Sequence, residues 1–281
     1  MQQPKYHLRI EPKKSLFDIN LKELWAYRDL IGLFVRRDFV SLYKQTILGP
    51  LWFIIQPLLS TAMFTIVFAK IAKFSTADLP PIVFYLSGTV AWNYFSTTLL
   101  KTSDTFTQNA SIFGKVYFPR LTVPVSIVIS NLIQFAIQFT LLAVIIIYYS
   151  FNGYDFHFDL TLLLIPVMLL ILAGLGLGFG ILISSLTTKY RDLKQLISFG
   201  VQLWMYITPI IFPLSSVSGK YRIFFLVNPL TGIIETFRTI LLGVGQMNYF
   251  YLGYSAAFMV VLLVIGVIMF NRIERNFMDY V

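Results

Sequence analysis

Long apolar runs, close to the roughly 20 residues that an α-helix needs to cross the hydrocarbon of a bilayer, recur along this chain and leave few architectures open. They occupy residues 51–69, 81–100, 121–150, 160–186, 196–213 and 250–270. Each run is continuous, whereas the strands of a membrane β-barrel alternate apolar and polar residues. In lipid only a helix or a closed barrel satisfies its own backbone, so a helical bundle remains. Hydrophobic residues fill 57% of the 281 positions and charged residues 12%, too apolar a balance for a soluble surface. The expected fold is an all-α integral membrane protein with six transmembrane helices.

The first run starts at Leu51 behind a charged stretch, so it does not read as a cleavable signal peptide. Cysteine is absent, which removes disulfides, thiolate metal sites and cysteine nucleophiles together. Residues 1–50 are expected to form a cytoplasmic N-terminus, 51–270 the membrane domain and 271–281 a cytoplasmic tail. With that orientation 17 of the 22 Lys and Arg fall on the cytoplasmic side and five outside, as the positive-inside rule requires. The net charge of +9 then reflects topology and anionic head groups, with no nucleic-acid partner.

Residues 214–249 are apolar only in pieces, broken by Gly219, Pro229, Gly232, Gly243 and Gly245, and carry Glu235 and Arg238 one turn apart. If 230–242 crossed, Arg272 and Arg275 would end outside. Two short re-entrant helices before the last span fit better, capping a pathway with Glu235 and Arg238 as its outer gate. The plainer alternative is an amphipathic loop on the membrane surface. At the other end, Asn20 and Glu23 have capping-box spacing. Lys22, Asp29, Arg36 and Lys44 recur at near-heptad intervals, away from Leu24, Tyr27, Leu30, Ile31 and Phe34. This predicts an amphipathic helix at the inner interface, with packing on its own bundle as the alternative.

The chain carries no motor of its own. A P-loop requires GxxxxGK[ST], and the Gly-Lys pairs at Gly114 and Gly219 are followed by Val116 and Tyr221. None of the 13 acidic residues sits inside an expected span, which disfavours ion coupling. His7 and His157 are far apart and no metal spacing occurs, so the chain is not expected to be an enzyme. Gly174, Gly176, Gly178 and Gly180 form two overlapping small-xxx-small pairs for close helix packing.

Residues 36–59, RRDFVSLYKQTILGPLWFIIQPLL, resemble the start of membrane subunits of polysaccharide-exporting type-2 ABC transporters, which move O-antigen, capsule or teichoic-acid chains. IFGKVYFPRLTVP (112–124), TTKYRDLKQ (187–195), ITPIIF (207–212) and NPLTGIIETFR (228–238) follow in the same order. The resemblance implies a permease subunit in the bacterial inner membrane that exports a lipid-linked polysaccharide. It also implies a homodimer and two copies of a separate ATPase subunit that binds the ATP. Docking is expected at 103–119 and 187–195 through Phe113, Lys115, Tyr117, Phe118, Arg191 and Asp192; contact with head groups is the alternative. Arg36, Arg37 and Lys44 are expected to receive the anionic lipid carrier. Export of another amphiphile, a lipid or a drug, is the competing function, and an ion-coupled carrier a more distant one.

A sugar chain suits a path lined with aromatics and amides. Such a stripe runs along Gln195, Phe199, Gln202 and Tyr206, with Trp204 beside it. Trp52, Gln56, Ser60 and Phe64 on the first span, Tyr85, Trp92, Tyr94 and Phe95 on the second, and Asn131, Gln134 and Gln138 on the third extend the set. The alternative is that the amides join helices and the aromatics form interfacial belts.

Overall fold

The computed structural model describes residues 21–44, 47–156, 159–187, 192–245 and 247–276, and among them the regular secondary structure is entirely helical. Two helices, α1 (Leu21–Ala26) and α2 (Arg28–Lys44), precede the first long one. That helix, α3 (Trp52–Phe64), continues through a π-helical stretch, Thr65–Ile71. Next come α4 (Pro81–Ser103), the short α5 (Thr105–Gln108) and α6 (Ala110–Phe113), then α7 (Thr122–Phe151) and α8 (Ile165–Thr187). The chain finishes with α9 (Leu193–Tyr206), α10 (Gly219–Val227), α11 (Pro229–Leu242) and α12 (Tyr249–Asn276). The expected Asn20 cap lies outside the described residues.

Among the described residues four helical stretches are long and apolar enough to cross a membrane: Gly49–Ile71, Thr122–Phe151, Leu160–Thr187 and Tyr249–Ile273. Helix α4, with 23 residues, matches them in length but carries Ser87, Thr89, Thr98 and Thr102, all buried. It is enclosed by α3, α7, α8, α9 and α11, so its hydroxyls face protein. Ser87 and Thr89 bond back to the carbonyls of Phe84 and Leu86.

The glycines of α8 divide between two neighbours. A Cβ on Gly176 or Gly180 would stand 3.0 or 2.4 Å from the Cβ of Thr98 or Thr102 on α4. On Gly174 or Gly178 it would meet Met259 or Leu262 of α12 at 2.3 or 3.0 Å. Missing side chains let three helix axes draw together, and van der Waals contact replaces the hydrophobic drive that lipid does not supply.

The fifth apolar run departs from expectation. Instead of a helix over 196–213, α9 ends at Tyr206 after 14 residues, about 21 Å at 1.5 Å per residue. Pro209 and Pro213 lack the N–H that the helix would need, and residues 207–213 continue as turns. The region after it forms two short helices, as expected, with α10 and α11 meeting at 100°. Pro229 opens α11 at its first position. Gly243, at φ 69°, closes it in the left-handed conformation that suits a residue without a Cβ.

Helix α2 packs against α7. Its Phe34 joins Phe106, Phe113, Phe118, Val123, Ile127, Ile181 and Phe270 in a second apolar cluster at the end of the bundle where α4 finishes. The amphipathic helix is therefore seated on its own bundle. Trp25 and Leu33 remain 71% and 61% exposed, so it also carries apolar surface that faces outward.

Candidate functional site

At the end of the bundle where α4 begins, two of the sequence blocks meet in space. Asn228 caps α11 by accepting the Leu230 N–H at 3.1 Å, and its amide donates to the Thr208 hydroxyl at 2.9 Å. Ten residues along, Arg238 donates Nη1 to the Pro209 carbonyl and Nη2 to the Ile210 carbonyl at 2.6 Å. Only 3% of Arg238 is exposed, and its guanidinium lies 3.8 Å from the centroid of the Phe84 ring. Carbonyls freed by the early end of α9 thus receive donors from α11, which meets the requirement that buried backbone oxygens find partners. Gly88 makes room: a Cβ there would stand 2.7 Å from Nη2 of Arg238.

Glu235 stands 3.7 Å from Arg238 and accepts a long bond, 3.4 Å, from the Leu214 N–H. The two residues expected as an outer gate are therefore together. Arg238, however, is fixed to three elements and acts as a clamp.

The expected aromatic lining divides sharply. Tyr85, Trp92, Tyr94 and Phe95 on α4 are 0%, 5%, 3% and 0% exposed, so they line no open path in this conformation. Their rings pack internally: Tyr85 on Phe64 at 6.0 Å, Tyr94 on Phe135 at 5.6 Å, and Phe95 on Trp204 at 5.3 Å. The cause is the central position of α4, which turns a helical aromatic stripe into core. Phe64 and Trp204 are half-buried by the same packing. On α7, Asn131 and Gln138 join helices: Asn131 bonds Thr98 at 3.1 Å and receives Lys101 at 3.1 Å, and Gln138 receives Asn93 at 3.4 Å.

Gln195, Phe199, Gln202 and Tyr206 of α9 are all exposed, as are Trp52 and Gln56 on α3. Helix α9 touches its bundle mainly through Val201, with Ile197, Trp204 and Met205 partly covered. The amide and aromatic stripe faces away from that contact.

At the opposite end of the bundle, Phe113 and Phe118 are buried in the second cluster, where they cannot meet a partner directly. What projects is the turn they anchor: Lys115 is exposed, Val116 is 59% exposed and Tyr117 76%. Asp192 accepts the Leu193 N–H at 3.0 Å as the cap of α9, and Arg191 lies outside the described residues. The two expected docking segments are tied together: Lys194 reaches Asp104 at 2.7 Å, Gln108 donates to the same oxygen at 3.0 Å, and Thr187 donates to the Ser103 carbonyl at 3.1 Å.

Of the expected carrier-binding residues, Arg36 and Lys44 are exposed. Arg37 pairs with Asp38 at 2.8 Å and lies over the Phe34 ring at 4.7 Å. Beside them a cavity of about 440 Å³ is lined by Arg37, Lys101, Gln108, Asn109 and Gln134, among others.

Sequence reasoning missed Asn228, Thr208, Asp104 and Lys194 as structural ties. The available signal was their place inside the blocks or expected docking segments, polar residues bordering runs otherwise apolar.

Comparison with known proteins extends over most of the chain. Two O-antigen export system permease proteins RfbA of Klebsiella pneumoniae are 25% and 26% identical to it over 251 residues, 89% of this chain and 94% of theirs. An O-antigen export system permease protein RfbA of Myxococcus xanthus is 25% identical over 222 residues, 78% of this chain and 83% of its own. The sequence pattern of the ABC-2 type transporters covers residues 29–242, well over half of the protein. With long apolar helices packed through small residues and an alignment that spans both ends of the bundle, the chain belongs to the ABC-2 type transporter membrane family.

Proposed function

We propose that this chain is the permease subunit of an ABC transporter that exports a lipid-linked polysaccharide of the O-antigen type across the bacterial inner membrane. The observation that carries the reading is the alignment with O-antigen export permeases over 89% of the chain. In this reading the chain crosses six times with both termini in the cytoplasm. Helix α4 and the short α9 with its turn segment are two of the crossings, and α10 and α11 are re-entrant from outside. The excess of Lys and Arg on one side supports that orientation.

The permease works as a homodimer with two copies of an ATPase subunit. The exposed stripe Gln195, Phe199, Gln202 and Tyr206 lines the path between the two permeases, together with Gln56. An amide row on a membrane helix is costly against lipid, and α9 presents it away from its own bundle, where a second copy and a polar cargo satisfy it. The turn Lys115–Val116–Tyr117 inserts into the ATPase, with Asp192 beside it at the start of α9. Arg36, Arg37 and Lys44 receive the phosphates of the carrier at the inner interface, where basic residues favour anionic head groups.

Reconstitution of the chain with its ATPase in proteoliposomes tests this. ATP turnover should rise with lipid-linked glycans and stay flat with hydrophobic drugs. Replacement of Arg36, Arg37 and Lys44 by Ala should abolish export while leaving assembly intact. Stimulation by drugs or simple lipids alone would assign the chain to an exporter of another amphiphile.

A further inference from the structure

Between α11, α10 and the start of α12 lies a cleft of about 380 Å³, within the size range of small-ligand sites. Its wall includes Glu235 and Thr231 of α11, Arg222 of α10, Asn248 ahead of α12 and Tyr251 on it. It opens at the end of the bundle opposite the Asp104–Lys194 tie.

The chemistry of the wall is selective. Glu235 uses Oε1 for the long Leu214 bond and for its contact with Arg238. Arg238 is itself committed to the carbonyls of Pro209 and Ile210 and to the Phe84 ring. A carboxylate has about four acceptor sites, so this one keeps capacity for donors entering the cleft. Arg222, exposed on α10, supplies donors, and Leu226, Val244 and Tyr251 add apolar surface to the wall. A lipid tail would strip water from the carboxylate and from the exposed guanidinium of Arg222. A polyol with one apolar face satisfies both kinds of surface: adjacent hydroxyls donate to Glu235 and accept from Arg222, and the ring face lies on the apolar part of the wall.

We propose that this cleft is a sugar-binding subsite at the exit side of the transporter, holding one residue of the glycan through a diol between Glu235 and Arg222 with its apolar face against the apolar part of the wall. The proposal rests on the reading of the chain as a glycan exporter and adds a site to it.

Full-length protein in detergent, titrated with neutral tetrasaccharides of mannose, galactose or rhamnose and followed by saturation-transfer NMR, tests the cleft without the ATPase. At least one neutral tetrasaccharide should bind saturably. Arg222→Ala, at an exposed position, should weaken binding about tenfold with an unchanged unfolding midpoint, and Glu235→Gln at least as much. Absence of saturable binding by every neutral sugar, or full binding by Arg222→Ala, would overturn the subsite. Export of lipid-linked glycan by the reconstituted pair alongside any of those results would sink the subsite alone. Loss of glycan-stimulated turnover in the unmodified pair would sink the export reading instead.

Discussion

Arg238 faces the ring of Phe84 at 3.8 Å while the same guanidinium holds the carbonyls that follow α9, so one side chain joins α11, α4 and residues 209–210. Such a fork needs a planar group with several fixed donors, which Arg has and Lys lacks. Arg238→Ala leaves buried carbonyls without partners and Glu235 without its counter-charge, at a cost of about 3–5 kcal/mol. The expected outcome is a large fall in the thermal midpoint of the purified protein, with Arg238→Lys recovering only part of it. An unchanged midpoint for Arg238→Ala would mean that the clamp contributes nothing.

Gly180 and Gly200 make a matched pair. A methyl on Gly180 would stand 2.4 Å from Thr102, whereas Gly200 has nothing within 4 Å. Gly180→Ala should destabilise by about 1–3 kcal/mol through overpacking. Gly200→Ala should be neutral or stabilise by up to about 1 kcal/mol through helix propensity. Thermal unfolding in one detergent compares them directly, and equal effects would contradict the close approach of α8 to α4.

The tie between Lys194 and Asp104 joins the two expected docking segments, yet Lys194 is half open to solvent, so its thermodynamic worth is under about 1 kcal/mol. Asp104→Asn should therefore leave the unfolding midpoint within a few degrees while reducing transport per ATP hydrolysed several-fold. The exchange Asp104→Lys with Lys194→Asp should restore part of the coupling. Normal coupling in the single variant would show that the tie transmits nothing.

Tyr117 and Phe118 are neighbours with opposite fates, 76% and 6% exposed. Tyr117→Ala should preserve folding and weaken association with the ATPase by tenfold or more, read by co-purification. Phe118→Ala should cost about 3–5 kcal/mol of stability by emptying the cluster it shares with Phe34 and Phe113. Intact association in Tyr117→Ala would move the docking surface elsewhere.

Much of this organisation was legible in the sequence because lipid imposes a simple length rule, and the apolar runs at 51–69, 121–150, 160–186 and 250–270 appear as long helices. The two short helices around Pro229 were likewise readable from breakers and charges. Periodicity alone did not reveal which way a stripe points. Tyr85, Trp92, Tyr94 and Phe95 have the same spacing whether they face a channel or, as here, the rings of Phe64, Phe135 and Phe179. The partners of α4 are set by tertiary packing, which spacing does not encode. The early end of α9 had its signal in Pro209 and Pro213, masked by the apolar character of residues 207–213, but the partners of the carbonyls there, donors on Arg238, come from tertiary packing.

That dependence orders the birth of the molecule. Oxygens at 209 and 210 await a guanidinium that is synthesised 28 residues after the nearer of them, so the turn segment that follows α9 completes its bonding only after α11 has been made. Nascent chains halted between those points should remain attached to the insertion machinery or be degraded, which makes residue 238 a checkpoint in biogenesis as much as a contact in the mature protein.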